Sequence, residues 1–218
     1  MPDIQRAGAT DLPLLARTLA RAFRDDPFWR WMAIPDQRYD HRLEAAFLAQ
    51  LRHLAEPSGL IHTIPSCQAA ALWSPPGTWG SSPMAHLRFL PDLVRLCGVV
   101  RLPARLHGIR RVQALHPVTP HFYLQIIGVD PRAQGRGIAR LLLDNVMTQC
   151  DRSALPVYLE TCNPANVALY RHFGFEVLHE LTLPDRGPTV WCMWRATSAN
   201  DASGTVPDAP SRGPAPDH

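Results

Sequence analysis

One stretch limits the folds open to this 218-residue chain more than any other. It covers residues 121–180 and turns on Val129-Asp-Pro-Arg-Ala-Gln-Gly-Arg-Gly-Ile-Ala139. An apolar run over 122–129 stops at Asp130-Pro131, and a loop holding Gly135 and Gly137 follows. A periodic segment with Ile138, Leu141, Leu142 and Val146 comes next. That order predicts strand, glycine turn and helix. Glycines at a helix start let several backbone N–H groups converge where the helix dipole already favours negative charge. A phosphate is the expected guest.

The rest of the chain fits around this unit as one domain over 1–196. Ile4 to Arg6 reads as a short strand. Thr10 reads as the N-cap of a helix whose apolar face is Leu12, Leu15, Leu19 and Phe23. The segment 25–31 interrupts that helix with Pro27, and a second helix is predicted over 39–55 through Leu43, Phe47, Leu51 and Leu54. Strands over 60–65 and 68–74 pair around Ser66-Cys67. Residues 81–114 read as helix broken at Pro83, Pro91 and Pro103, with Arg101, Arg105, Arg110 and Arg111 on a solvated face. After the central unit come a strand over 157–161, a helix from Asn163-Pro164 to His172 closed by Gly174, and a hairpin of strands over 175–183 and 189–195. From Thr197 to His218 the chain holds one bulky apolar residue, Val206, and reads as a disordered tail.

Composition excludes several classes. A net charge of +3, scattered along the chain, argues against nucleic acid. The most apolar long stretch, 87–106, holds five charged residues and two prolines and does not span a membrane. The five cysteines form no C-x-x-C pair, and no signal peptide is visible, which together read as a cytoplasmic protein with reduced thiols. The histidines lack metal-ligand spacing, so no metal is expected.

Which phosphate carrier the loop takes is narrowed by elimination. A Walker loop requires lysine, and this chain has none. A dinucleotide fingerprint needs a small residue where Arg140 stands, although Glu160 falls near the place of a ribose-binding acid, and too little chain follows for further β-α units. The pattern left is R-x-x-G-x-G at Arg132, Gly135 and Gly137. With Leu159-Glu-Thr161, Asn163, Asn166, Leu169-Tyr170 and Gly174-Phe175, it resembles the GNAT superfamily of acyl-CoA-dependent N-acyltransferases. Tyr123-Leu-Gln-Ile-Ile-Gly-Val129 and Thr189-Val-Trp-Cys-Met193 bring it nearest to the puromycin N-acetyltransferase branch.

The resemblance implies an α/β (α+β) fold. Its sheet is mixed and mainly antiparallel, flanked by helices and splayed where acetyl-CoA enters. It further implies a bulge at Gly128 that opens the backbone of Ile127 and Val129 to the pantetheine arm. The N–H groups of Gln134, Gly135, Arg136, Gly137, Ile138 and Ala139 then hold the pyrophosphate, with Arg132 beside them. Tyr170 is implied as the general acid for the leaving thiolate. Asn166, one turn earlier on the same helix face, and Asn163 are coenzyme-binding candidates. The Val129 N–H is the candidate oxyanion donor. Glu160 is the candidate base or ammonium partner, with His121 and Tyr123 as further candidates.

Asp25 and Asp26 beside Trp29 and Trp31, together with Trp73, Trp79 and Tyr123, make an acidic aromatic wall suited to a cationic amine. The expected acceptor is therefore the primary amine of a small molecule, such as the aminonucleoside puromycin. A protein or peptide N-acetyltransferase and a non-catalytic acyl-CoA sensor stand as alternatives, and the state of assembly, monomer or homodimer, is open.

Overall fold

A computed structural model describes residues 3–55, 60–79 and 83–197. The expected tail beyond Thr197, the Ser81 start of the proline-broken segment and the Leu54 side chain lie outside what is described. Seven strands make one sheet: β1 Gln5–Arg6, β2 Leu60–Thr63, β3 Ala69–Ser74, β4 Phe122–Val129, β5 Val157–Thr161, β6 Glu176–Thr182 and β7 Thr189–Arg195, in the order β1-β2-β3-β4-β5-β7-β6. Every pairing is antiparallel except β4 with β5. This is the mixed, mainly antiparallel sheet that the sequence led us to expect.

Apolar side chains cover both faces of the sheet. One core takes the inner faces of α1 Leu12–Ala22, α2 Pro27–Met32, α3 Tyr39–Gln50 and α4 Pro83–Cys97, with α5 Leu102–Gln113 packed against it. The other takes α6 Ile138–Arg152 and α7 Pro164–His172. Among the described residues no helix is long and apolar enough to cross a membrane.

Several local expectations are corrected. Thr10 does not cap α1: Asp11 occupies that position, and its carboxylate instead accepts from the Gly8 N–H at 2.9 Å. Pro27 starts a helix rather than breaking one, because Asp26 accepts from the Phe28 and Trp29 N–H groups and Pro27 needs no donor in a first turn. The second helix ends at Gln50 and continues as a π-helical turn over Leu51–Ala55. Neither Pro91 nor Pro103 breaks a helix. Pro91 lies inside α4 on its exposed side and Pro103 sits in the first turn of α5, while the break falls at Gly98, left-handed at φ 75°. Arg105 is not solvated: it is 5% exposed, lies over the Trp31 ring at 4.2 Å and reaches Asp185 at 3.2 Å. Thr197, counted with the tail, is 4% exposed and packs with the domain.

The strand bulge is also displaced from its expected place. Leu72 pairs with Ile126 and Trp73 with Leu124, so Gln125 is the extra residue on β4. An extra residue flips every later side chain to the opposite face. Phe122 and Leu124 join the α6 core whereas Ile126 joins the α1 core, and Ile127 and Val129 return to the α6 side. Gly128 has a different reason to be glycine. A Cβ there would meet Leu19 and Phe23 at 2.9 Å, so Gly128 is where α1 presses against the sheet. Gly128→Val is expected to destabilise the fold by about 1–3 kcal/mol through overpacking, read as a lower denaturation midpoint; an unchanged midpoint would show that α1 yields freely.

Candidate active site

The two central strands part company early. β4 pairs with β5 only from Phe122↔Val157 to Leu124↔Leu159, after which β4 runs on to Val129 and β5 to Thr161 without each other. The Asp130 N–H donates to the Gln68 carbonyl at 2.8 Å, so the end of β4 faces β3 through Asp130 and, by alternation, Gly128. Backbone N–H and C=O groups of Ile127 and Val129 therefore point into the split. The Val129 carbonyl is taken by the Gln134 side-chain amide at 3.1 Å, leaving the Val129 N–H facing the opening.

Beyond β4, Asp130 organises the turn. Its Oδ1 accepts from the Arg132 N–H at 3.0 Å and its Oδ2 from Arg21 of α1 at 2.8 Å. Burial alone would raise the Asp130 carboxyl; the Arg132 N–H and the Arg21 guanidinium outweigh it and hold the group below the usual carboxylate range. Gly135 and Gly137 are left-handed at φ 76° and 75°, and a Cβ on either would meet nothing within 4 Å among the described residues beyond its chain neighbours. Gly137 is the N-cap of α6, and its carbonyl accepts from the Leu141 N–H at 3.0 Å. Among the described residues no protein acceptor takes the N–H groups of Gln134, Gly135, Arg136, Gly137, Ile138 or Ala139. The Ile138 side chain is core, so its contribution is backbone alone. The Arg136 guanidinium closes back onto the Arg132 carbonyl at 3.3 Å. A fan of unpaired donors at the head of a helix, with open space above two glycines, fits a diphosphate.

Next to the split lies a cavity of about 300 Å³. β4 contributes Tyr123 to Ile127, β5 Leu159 to Thr161 with Cys162 just past its end, and α7 Asn166 and Tyr170; Phe23, Asp26, Phe28, Trp29 and Met32 close the α1–α2 side. Phe89, Leu93 and Leu96 of α4, with Ile109, Val112 and Gln113 of α5, form its roof, and Gln50, Trp79 and Val190 complete the wall. Among the described residues its charged lining consists of two carboxyl groups, Asp26 and Glu160, with none of the chain's 22 arginines.

The predicted residues divide accordingly. Asp26, Trp29, Tyr123, Ile127, Glu160, Asn166 and Tyr170 share the cavity, while Arg132 and 134–139 lie at the α6 head. Trp31 does not line it: its indole N–H donates to the Pro184 carbonyl at 2.9 Å and its ring lies under Arg105. Trp73, fully buried, is also core. Asn163 is occupied as the N-cap of α7, accepting from the Ala165 N–H at 3.0 Å. Asn166 donates to the Thr161 hydroxyl at 3.5 Å.

The Tyr170 ring packs edge-on against Phe175 at 5.7 Å, and its hydroxyl has no protein partner among the described residues. Burial, and secondarily the negative charge of Asp26, push the Tyr170 phenol up, so it remains a proton donor. Burial also raises the Asp26 carboxyl, against the Trp29 and Phe28 N–H groups that lower it. The Tyr123 hydroxyl donates to Glu160 Oε2 at 2.6 Å, and burial followed by the Glu160 charge raises the Tyr123 phenol well above its ordinary value. Sequence reasoning missed His116, stacked on Trp79 with 3.6 Å between ring centres and 3.8 Å from Glu160 Oε1. It lies in an aperiodic segment before β4 that carries no signal of its position.

Similarity to known proteins decides the family. The family model described as acetyltransferase (GNAT) family matches residues 66–175, half the chain and the whole split. The chain belongs to the GNAT family.

This GNAT chain is an acyl-CoA-dependent N-acetyltransferase, and acetyl-CoA is its donor. It is similar to an uncharacterized N-acetyltransferase of Schizosaccharomyces pombe, 26% identical over 78% of this chain and 73% of that protein. A mycothiol acetyltransferase of Gordonia bronchialis is 33% identical over 49% of this chain and 37% of that protein. Among solved structures, one described as histone acetyltransferase HPA2 and related acetyltransferase, from Corynebacterium glutamicum, superposes with a TM-score of 0.67. It is 26% identical, with 90% of this chain and 97% of that one covered.

Proposed function

We propose that this GNAT enzyme acetylates the primary amine of a small molecule whose body is apolar or aromatic and carries no anionic group. The observation that carries this reading is the roofed cavity whose charged lining is two carboxyl groups, Asp26 and Glu160. Two carboxylates within low-dielectric walls attract an ammonium and repel a carboxylate or phosphate. Trp29, Phe28 and Phe89 offer ring surface to the rest of the acceptor. The α4–α5 roof favours a free small molecule over a protein substrate, which needs an open groove.

Bound acetyl-CoA supplies the thioester acetyl group. The fan at 134–139 holds the diphosphate, and the backbone of Ile127 and Val129 aligns the pantetheine arm. Holding donor and amine together contributes about 7 kcal/mol or more to lowering the barrier. Glu160 takes a proton from the bound ammonium, the Val129 N–H donates to the carbonyl oxygen as negative charge grows there, and Tyr170 gives its phenolic proton to the departing sulfur. Asp26, with Oδ1 engaged by the α2 N–H groups, presents its other oxygen to the ammonium.

Release of free thiol from acetyl-CoA, measured across a panel of amines, tests the reading. The panel contains arylalkylamines, puromycin, polyamines, free amino acids and peptides. The highest kcat/KM is expected for amines with an apolar body, with amino acids at least about tenfold poorer because their carboxylate meets two others. Turnover confined to peptide N-termini, or none with any amine despite coenzyme binding, would overturn it.

A further inference from the structure

Behind Glu160 lies a chain of hydrogen bonds that ends on a backbone carbonyl, and its direction can be read group by group. His121 Nδ1 is 2.6 Å from the Thr119 carbonyl oxygen, which only accepts, so that nitrogen carries a proton. Burial lowers the His121 imidazole below its ordinary value, so the ring is neutral and its Nε2 is bare. His116 Nε2, 3.1 Å away, is then the donor of the bond between the two rings. That leaves His116 Nδ1 as the open position. It is buried, without a hydrogen-bond partner among the described residues, and 3.8 Å from Glu160 Oε1.

An unpartnered Nδ1 facing the carboxylate is a position that can take a proton from it, and once protonated it forms an ion pair with Glu160. Trp79 lies flat on His116, 8° from parallel, where a cation over an indole face is stabilised. Tyr123 and Tyr158 meet its edges at 4.9 and 4.7 Å, and Tyr123 simultaneously holds Glu160 Oε2. The titratable groups facing His116 are thus Glu160 and Tyr158 of β5, Tyr123 of β4, and His121 at its entry. None of these brings a cation of its own.

We infer that His116 is the proton-holding partner of Glu160, receiving on Nδ1 the proton that Glu160 removes from the acceptor ammonium. This rests on the proposed role of Glu160. An ammonium that becomes an amide sheds two protons: one reaches the thiolate through Tyr170, and the other passes by way of Glu160 to His116 and is lost to solvent between turnovers. The amide keeps the third. His116 does not line the cavity, so it is a positioning residue that acts through Glu160.

Kinetics of His116→Gln, His116→Phe and His116→Ala test the inference, alongside side-chain ¹⁵N spectra of the native protein. His116→Phe keeps a ring on Trp79 but cannot hold a proton, which separates packing from proton transfer. The expected result is a kcat lower by about 10- to 100-fold in His116→Gln and His116→Phe, with both KM values within about twofold. Added imidazole recovers part of the rate of His116→Ala. The spectra should place a proton on His116 Nε2 and on His121 Nδ1. Wild-type kcat in His116→Phe, or a native tautomer with His116 Nε2 bare, would overturn the inference. If the variants do not fold, the native spectra decide it alone. If the wild type acetylates no amine, the substrate reading fails while the tautomer measurement still judges His116.

Discussion

Replacing Tyr170 by Phe is expected to lower turnover by about one to three orders of magnitude, with acetyl-CoA affinity within about twofold of wild type. The change removes one oxygen and leaves the ring against Phe175 in place. Because the hydroxyl has no protein partner among the described residues, its loss breaks no structural bond. What disappears is the donor to the leaving sulfur. A thiolate departs more readily than an alkoxide, which limits the penalty to that range. Burial and the Asp26 charge hold the phenol protonated through the neutral range, so the wild-type donor is not switched off as pH rises toward its ordinary value. Single-turnover rates together with coenzyme titration measure the effect. Unchanged turnover would strip Tyr170 of its role and leave it a packing residue.

Gly137→Val is expected to raise the coenzyme Kd by about 10- to 1,000-fold, as one or two hydrogen bonds to a charged group are lost at about 1.5–2 kcal/mol each. The position is left-handed at φ 75°, where an L side chain costs about 1–2 kcal/mol, and valine crowds a backbone whose amides must face outward. Among the described residues, chain neighbours aside, no protein atom lies within 4 Å of the added Cβ, so the fold itself survives. Calorimetric titration with CoA, paired with a melting curve, separates binding from stability. Gly128→Val provides the opposite pattern, since its Cβ would strike α1 and its cost falls on the fold. A CoA affinity unchanged in Gly137→Val would mean that the amides at 134–139 do not hold the diphosphate.

The amino-acid sequence by itself determined the strand–glycine turn–helix unit, the sheet's membership and the family. Each of these is written in neighbouring residues: the apolar run of β4, Gly135 and Gly137, the Asn163-Pro164 start of α7, and the Thr189-Val-Trp-Cys-Met193 run of β7. Periodicity and turn chemistry act over a few residues, so they survive without knowledge of the fold. Tertiary structure decided what depends on distant segments meeting. It moved the bulge to Gln125, because the register with β3 sets the extra residue, and it explained Gly128 through α1. It took Trp31 and Arg105 inward onto each other and Asp185, and gave Asn163 to a helix cap. It also set His116 beside Glu160, 44 positions on, which no local pattern encodes because the β4–β5 pairing alone brings those segments together.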